Sequence, residues 1–359
     1  MKIKCHNGSC GTIFEYNGND SWTDCPNCSS KIPINLNENN SSSTILENNS
    51  NSFRNNLRFW LLEHPKINPF NYFIDSVEFK KNAGSRKNPN NPFLRLTGSI
   101  RTLPDFILIG GTRSGGMTLT KYIQEHPSVY VSRNVHFFEF IASNNVNWYK
   151  RHFPSYIYKK KFLRKNKQKL VVGESTGTYL FHPDIPKRIK NILPNVKLIV
   201  MLRNPVVSSY SKYNHYKNEG LELNSFEDAI KMEIKRIDIL KQNNELKSNN
   251  PDFNNNVNFH YLRHGHYAEK LKNWLKVFPR NQIHMVVNDE FNADLDKTVE
   301  ETFSFLGLPN HKTKNRIKHS VGKYPKMQES TKEFLIDYFK PHNEELYEIL
   351  GRKLPWENI

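Results

Sequence analysis

The chain has no run of about eighteen apolar residues, the length a membrane-spanning helix requires. Its first ten residues, Met1 to Cys10, carry no apolar stretch of the secretory-leader kind. Cysteine is scarce: there are four in 359 residues, all within the first 28. The body beyond them cannot depend on disulfides, and a reducing, cytoplasmic setting is the simplest expectation. Acidic residues are the minority, 35 against 52 Lys and Arg, which leaves a net charge of +17. Such an excess favours polyanionic partners: nucleic acid, acidic polysaccharide, an anionic membrane or a nucleotide with several phosphates. The same excess also follows from a genome that uses Lys and Asn codons freely.

The composition is present to build one large domain with a small appendage. Apolar residues make up only 37%, but aromatics reach 12%, enough for a sizeable core. Residues 1–34 form a compact Cys-containing unit. Residues 35–56 are almost all Asn, Ser, Glu and Thr, cannot bury a core and read as a flexible linker. Residues 57–103 mix apolar clusters with an Asn/Pro stretch and read as a peripheral lead-in. From 104 to the end, short apolar runs alternate with helical patterns. Strands are predicted at 106–110, 170–174, 196–202 and 282–287. Helices are predicted at 117–126, 183–193, 204–217, 225–244, 264–278, 294–306 and 328–350. Strands separated by helices imply an α/β fold with a central parallel sheet covered on both faces. No internal repeat is found.

Two segments carry chemistry. The first is Phe106-Ile-Leu-Ile-Gly110-Gly111-Thr112-Arg113-Ser114-Gly115-Gly116-Met117-Thr118. A buried strand runs into a glycine turn and then a helix, so unpaired backbone N–H groups converge on one spot that suits a phosphate or sulfate. Arg113 adds a positive charge there. The turn has no Gly-Lys-Ser/Thr ending, so it is not the clasp of a nucleoside triphosphatase or kinase, and it is not Gly-x-Gly-x-x-Gly. The second segment is Lys197-Leu-Ile-Val-Met-Leu-Arg203-Asn-Pro205-Val-Val-Ser-Ser-Tyr-Ser211. Arg203 stands at a strand tip, Pro205 opens a helix, and Ser211 lies two turns along it. Arg203 can fork onto a phosphate, and Ser211 can donate to the same group.

Together these segments resemble the sulfotransferases that use 3′-phosphoadenosine 5′-phosphosulfate (PAPS), and in particular the heparan-sulfate (glycosaminoglycan) type. The resemblance runs from about 104 to 356. Pro104-Asp105-Phe106 leads into the turn, His126-Pro127 closes the next helix, and His136-Phe137-Phe138-Glu139 looks like the family's His-Phe-Phe-Asp segment. Asn147-Trp148-Tyr149 follows. Gly173-Glu174-Ser175-Thr176-Gly177-Thr178-Tyr179 is similar to the Gly-Glu-x-x-Pro-x-Tyr element. Tyr267-Ala268 to Trp274, Phe278-Pro279, Phe305-Leu306-Gly307-Leu308 and Gly322-Lys323 are similar to its substrate-side helix and C-terminal region.

The resemblance implies a P-loop-like three-layer α/β/α fold and transfer of a sulfuryl group to a hydroxyl or amine of a carbohydrate acceptor. It implies a PAPS site built from Gly110, Thr112, Arg113, Ser114, Gly115, Gly116, Met117, Thr118, Arg203, Ser211, Gly322 and Lys323, with Arg113 at the bridging oxygen. The sequence also departs from the pattern. Arg113 replaces the usual Lys, and Gly116 and Met117 stand where hydroxyl residues usually follow, so Ser114 and Thr118 must compensate. Ser175 replaces a frequent Lys. Asn134 occupies the position of the general-base Glu, and an amide cannot take a proton. His136 and Glu139 are the nearest candidate bases, with Glu174 third. A His beside two Phe residues reads equally as a packed structural residue.

Two features stand outside that body. Cys5-x4-Cys10-x14-Cys25-Pro-Asn-Cys28 reads as a small zinc ribbon preceding the catalytic fold, with His6 a possible substitute ligand and free or redox thiols the alternative. Ribbons of this kind bind nucleic acid or protein. Residues 159–169 hold seven Lys or Arg and no acidic residue. They read either as a rail for an acidic glycan near the cleft or as a solvated loop. The alternative function is therefore a zinc-ribbon protein with a weakened catalytic fold that binds nucleic acid or an anionic glycan.

Overall fold

The computed structural model describes residues 2–4, 13–15, 22–24, 31–33, 92–139, 145–242, 260–313 and 324–356. The chain divides into two compact units, Met1–Phe73 and Ile74–Ile359. In the first, β1 (Lys2–Lys4) pairs antiparallel with β2 (Ile13–Glu15), and β3 (Trp22–Asp24) with β4 (Lys31–Pro33). The expected metal ligands Cys5, Cys10, Cys25 and Cys28, with His6, lie outside the described residues.

The second unit is built on five strands: β5 (Phe106–Gly110), β6 (Val129–Arg133), β7 (Val171–Ser175), β8 (Lys197–Leu202) and β9 (Ile283–Val287). All pair in parallel, in the order β6-β7-β5-β8-β9. Every residue of β5 is buried. Its continuous apolar run follows from having both faces covered, and its side chains alternate between two cores. Ile107 and Ile109 pack with Ile185, Leu271, Trp274 and Leu346 on one face. Phe106 and Leu108 pack with Leu119, Ile123, Val299 and Phe303 on the other. This is the three-layer α/β/α arrangement anticipated from the sequence.

The helices, in chain order, are α1 (Pro92–Leu96), α2 (Gly116–Glu125), α3 (Val146–Lys150), α4 (Tyr156–Asn166), α5 (Ile185–Ile192), α6 (Pro205–Asn218), α7 (Phe226–Gln242), α8 (Tyr267–Leu275), α9 (Asn288–Ala293), α10 (Leu295–Leu306) and α11 (Glu329–Leu350). The four predicted strands appear within a residue or so of their expected bounds, as do most of the predicted helices. In the second unit, β6, α1, α3, α4 and α9 were not anticipated. Strand β6, Val-Tyr-Val-Ser-Arg, is an edge strand too brief and too polar to stand out. Helix α9 follows β9 without a break. Helix α4 takes up most of the basic run read above as a rail or loop. Ser155 caps it by accepting the Tyr158 N–H, and Lys167, in the left-handed region, closes it.

The connection leaving β5 runs through α2 to β6, on one side of the sheet. The connection leaving β8 runs through α6 toward β9, on the other. The carboxyl ends of the adjacent strands β5 and β8 therefore form the topological switch point, where a crevice opens in folds of this kind. Helix α6 is held there by buried polar bonds: Ser209 Oγ and Lys212 Nζ donate to the carbonyls of Tyr261 and His260 at 2.8 and 3.0 Å. The turn that supplies those carbonyls is pinned by the buried Glu233 carboxylate, which accepts the backbone N–H groups of Tyr261, Leu262 and Arg263.

Candidate functional site

A cavity of about 550 Å³ opens at the switch point. The turn after β5 supplies Gly111, Thr112, Arg113, Gly115, Gly116, Met117 and Thr118; the β8 tip and α6 supply Arg203, Ser211 and His215. The two segments singled out in the sequence thus share one cleft. They are also bonded: Arg203 Nη1 donates to the Arg113 carbonyl at 2.8 Å, and Arg113 Nε donates to Ser211 Oγ at 3.5 Å.

The local geometry explains the glycines. Gly115 is the N-cap of α2 with φ +94°, a left-handed conformation that a side chain rarely adopts. A Cβ there would stand 2.5 Å from Asn288 Nδ2. No side chain caps α2 and its first turn holds no acidic residue, so its amino end opens onto the cleft with its partial positive charge. Asn288 Nδ2 donates to the Ser114 carbonyl at 3.0 Å and so buttresses the turn from α9.

None of the residues lining the cleft is acidic, while two arginines and two histidines line it. Burial, with the neighbouring Arg203 adding to it, pushes the Arg113 guanidinium below its usual value, but an arginine remains a cation in any protein setting. The cleft is a place for an anion.

The candidate bases separate by burial. His136 lines the cleft, and its side chain is 36% exposed. Its Nδ1 is 2.7 Å from Glu139 Oε2, which leaves Nε2 as the ring nitrogen not engaged by that carboxylate. The Glu139 bond, opposed by burial, raises the His136 pKa. Glu139 stands behind His136, away from the cleft lining. Burial pushes its carboxyl up, but bonds from His136 and Thr178 hold it below its usual range. His182 Nε2 lies 3.7 Å from the other Glu139 oxygen. Glu174 is fully buried, accepts from the Tyr149 and Thr176 hydroxyls, and is raised by that burial against those bonds. It is not among the residues that line the cleft.

Asn134, where the sequence resemblance implies a base, does line the cleft, with φ +54°. The position reaches the site; the side chain cannot accept a proton. Thr118 lines the cleft and Ser114 does not: it is buried, its Oγ 3.4 Å from the Tyr267 hydroxyl. Gly110 also lies behind the lining. Gly322 and Lys323 lie outside the described residues, although Tyr324, next to them, lines the cleft. Sequence reasoning missed His215, Asn288, Phe291, Asn292 and Tyr324. The last four come from α9 and a loop far along the chain, and no local pattern marks them.

Comparison with known proteins bears on the family and the fold. The sulfotransferase domain family matches residues 103–345. A membrane-associated sulfotransferase, kil1, of Dictyostelium discoideum is 27% identical over 76% of this chain and 70% of its own length. The human bifunctional heparan sulfate N-deacetylase/N-sulfotransferase 3 is 24% identical over 70% of this chain, and the match spans only 31% of that protein. The crystal structure of a sulfotransferase from Alicyclobacillus acidocaldarius superposes with a TM-score of 0.54 at 24% identity, covering 72% of this chain and all of that one. Among the described residues, no helix is long and apolar enough to cross a membrane.

Proposed function

The chain belongs to the sulfotransferase domain family, and we propose that it transfers a sulfuryl group from PAPS to a hydroxyl or amine of a carbohydrate acceptor. One observation carries the reading: a single cleft without acidic lining holds Arg113, the open amino end of α2, Arg203 and Ser211. That set suits a nucleotide with anionic groups at both ends. The similarity to heparan sulfate N-deacetylase/N-sulfotransferases supports a glycan as acceptor.

PAPS supplies a sulfuryl group activated by its bond to phosphate. Arg203 and Ser211 are assigned to its 3′-phosphate, and the turn of Thr112 to Thr118 to the phosphosulfate. Arg113 neutralises charge that develops on the leaving phosphate oxygen, with the α2 N–H groups aiding it. His136 Nε2 removes the proton of the attacking hydroxyl or amine. Glu139 is a positioning residue: it accepts from Nδ1–H, fixes the tautomer that leaves Nε2 basic, and stabilises the imidazolium that forms. Asn134, unable to do this work, is left to orient the acceptor.

The test is incubation of the full chain with radiolabelled PAPS and polysaccharide, oligosaccharide and lipid-linked sugar acceptors. Label transferred to at least one carbohydrate is expected. Absence of transfer to every acceptor, together with no calorimetric binding of 3′-phosphoadenosine 5′-phosphate, would falsify the reading.

A further inference from the structure

A second cavity, about 620 Å³, lies at the opposite end of the sheet. Asp105, Val171, Val196 and Lys197, at the starts of β5, β7 and β8, line it, whereas the donor cleft meets the ends of the same strands. Five residues of strand separate the two by roughly 17 Å. The basic run therefore does not border the cleft described above.

One wall of this groove is α4. Tyr158 and Phe162 turn inward and pack on the core. The opposite stripe, Tyr156, Lys160, Leu163 and Lys167, follows helical spacing and is exposed. Tyr156 is 63% exposed and Leu163 41%. The floor is apolar: Leu170, Leu193, Val196 and Leu306. The rim carries Lys159, Lys160, Lys169 and Lys197. Asp105 is the one acidic residue in that lining, and Lys159 already engages it at 2.9 Å. Lys197 donates to the Phe305 carbonyl, so Lys160 and Lys169 are the rim cations directed at a partner.

We propose that this face docks on an anionic lipid surface, with Lys160 and Lys169 meeting headgroup phosphates or carboxylates and Tyr156 and Leu163 entering the headgroup boundary. A polyanionic chain in solution would use the cations alone. Tyr156 and Leu163 beside those cations give the pairing used at a membrane interface, where aromatic and Leu side chains insert while Lys and Arg hold the charged surface. Docking here points the donor cleft, at the far end of the sheet, toward solvent and toward acceptors. The proposal stands apart from the chemistry assigned to that cleft.

The test is co-sedimentation of the full chain with phosphatidylcholine vesicles, alone or with about 30 mol% phosphatidylserine. Binding is expected to the serine-lipid vesicles only, and to fall sharply as salt rises from about 0.1 M to about 0.5 M, where screening shortens. Lys160→Ala/Lys169→Ala is expected to weaken partitioning by at least about tenfold. Leu163→Ser is expected to weaken it while leaving the salt dependence in place. All three positions are exposed or on the rim, so melting temperatures should match wild type and serve as the folding control. Equal partitioning of variant and wild type, no binding to either vesicle, or capture by dissolved heparin through these lysines without vesicle binding would each overturn the proposal.

Discussion

Arg203, at the tip of β8, donates from Nη1 to the backbone carbonyl of Arg113 in the turn after β5, at 2.8 Å. One guanidinium thereby sets the spacing of the two strand tips that carry the cleft, and its other donors are left for a ligand. A lysine at this position is a point charge and cannot hold the carbonyl and fork onto a phosphate together. Arg203→Lys is expected to raise the KM for PAPS by about tenfold or more, the loss of one charge-assisted bond, with a smaller effect on kcat. Initial rates over a donor series measure it. An unchanged KM would remove Arg203 from the donor site.

Arg113 acts, in this reading, on charge that appears as the reaction proceeds. Arg113→Ala is expected to lower kcat by about 10²–10³-fold, the scale of removing one preorganised donor. Arg113→Lys should recover much of that loss, because the cation returns. Single-turnover rates decide between this role and a purely structural one, in which alanine and lysine would be equally impaired.

The His136–Glu139 pair makes the activity and the stability depend on pH. As a base, His136 works unprotonated, so kcat/KM should rise with pH through a value above its ordinary 6.5. Glu139→Gln removes the carboxylate responsible, and the limb should move to lower pH. For stability, the raised His136 contributes fully below 6.5 and loses that contribution as pH climbs through its folded value. The lowered Glu139 contributes above its ordinary 4.5 and loses that contribution as pH falls through its folded value. The difference in melting temperature between wild type and Glu139→Gln should therefore be greatest between those two values, 4.5 and 6.5. A difference independent of pH would show that the two side chains are not coupled.

Gly173 belongs to a segment that resembles a family motif, yet its environment gives it a packing reason. A Cβ at this position of β7 would lie 2.1 Å from the Phe106 ring of β5. Gly173→Ala is expected to cost roughly 1–3 kcal/mol, the range of overpacking in a filled core. Thermal or urea unfolding measures it. Adding Phe106→Leu should recover part of the loss, and no recovery would place the strain elsewhere.

Where neighbouring residues in the chain act together, the sequence was readable. The apolar run 106–110, the glycine turn and the first turn of α2 are consecutive. So are the β8 run, Arg203 and Pro205. Their strand, tip and helix roles follow from period and capping alone. Helix α4 escaped notice because its cations masked the inward pair Tyr158 and Phe162. Strand β6 escaped because, at the sheet edge, its pairing with β7 defines it more than its composition does.

The chain's own order of residues determined the two strand-to-helix corners, the parallel α/β class and the absence of a proton acceptor at Asn134. Each is a matter of local stereochemistry or of the functional group itself. Folding alone decided that the corners face one another across β5 and β8, that His136 reaches the cleft while Glu139 stands behind it and Glu174 is sealed in the core, and that the lysines of α4 belong to the other end of the sheet. Those facts depend on strand order and burial, which bring together residues about a hundred positions apart and which no single stretch of the chain encodes.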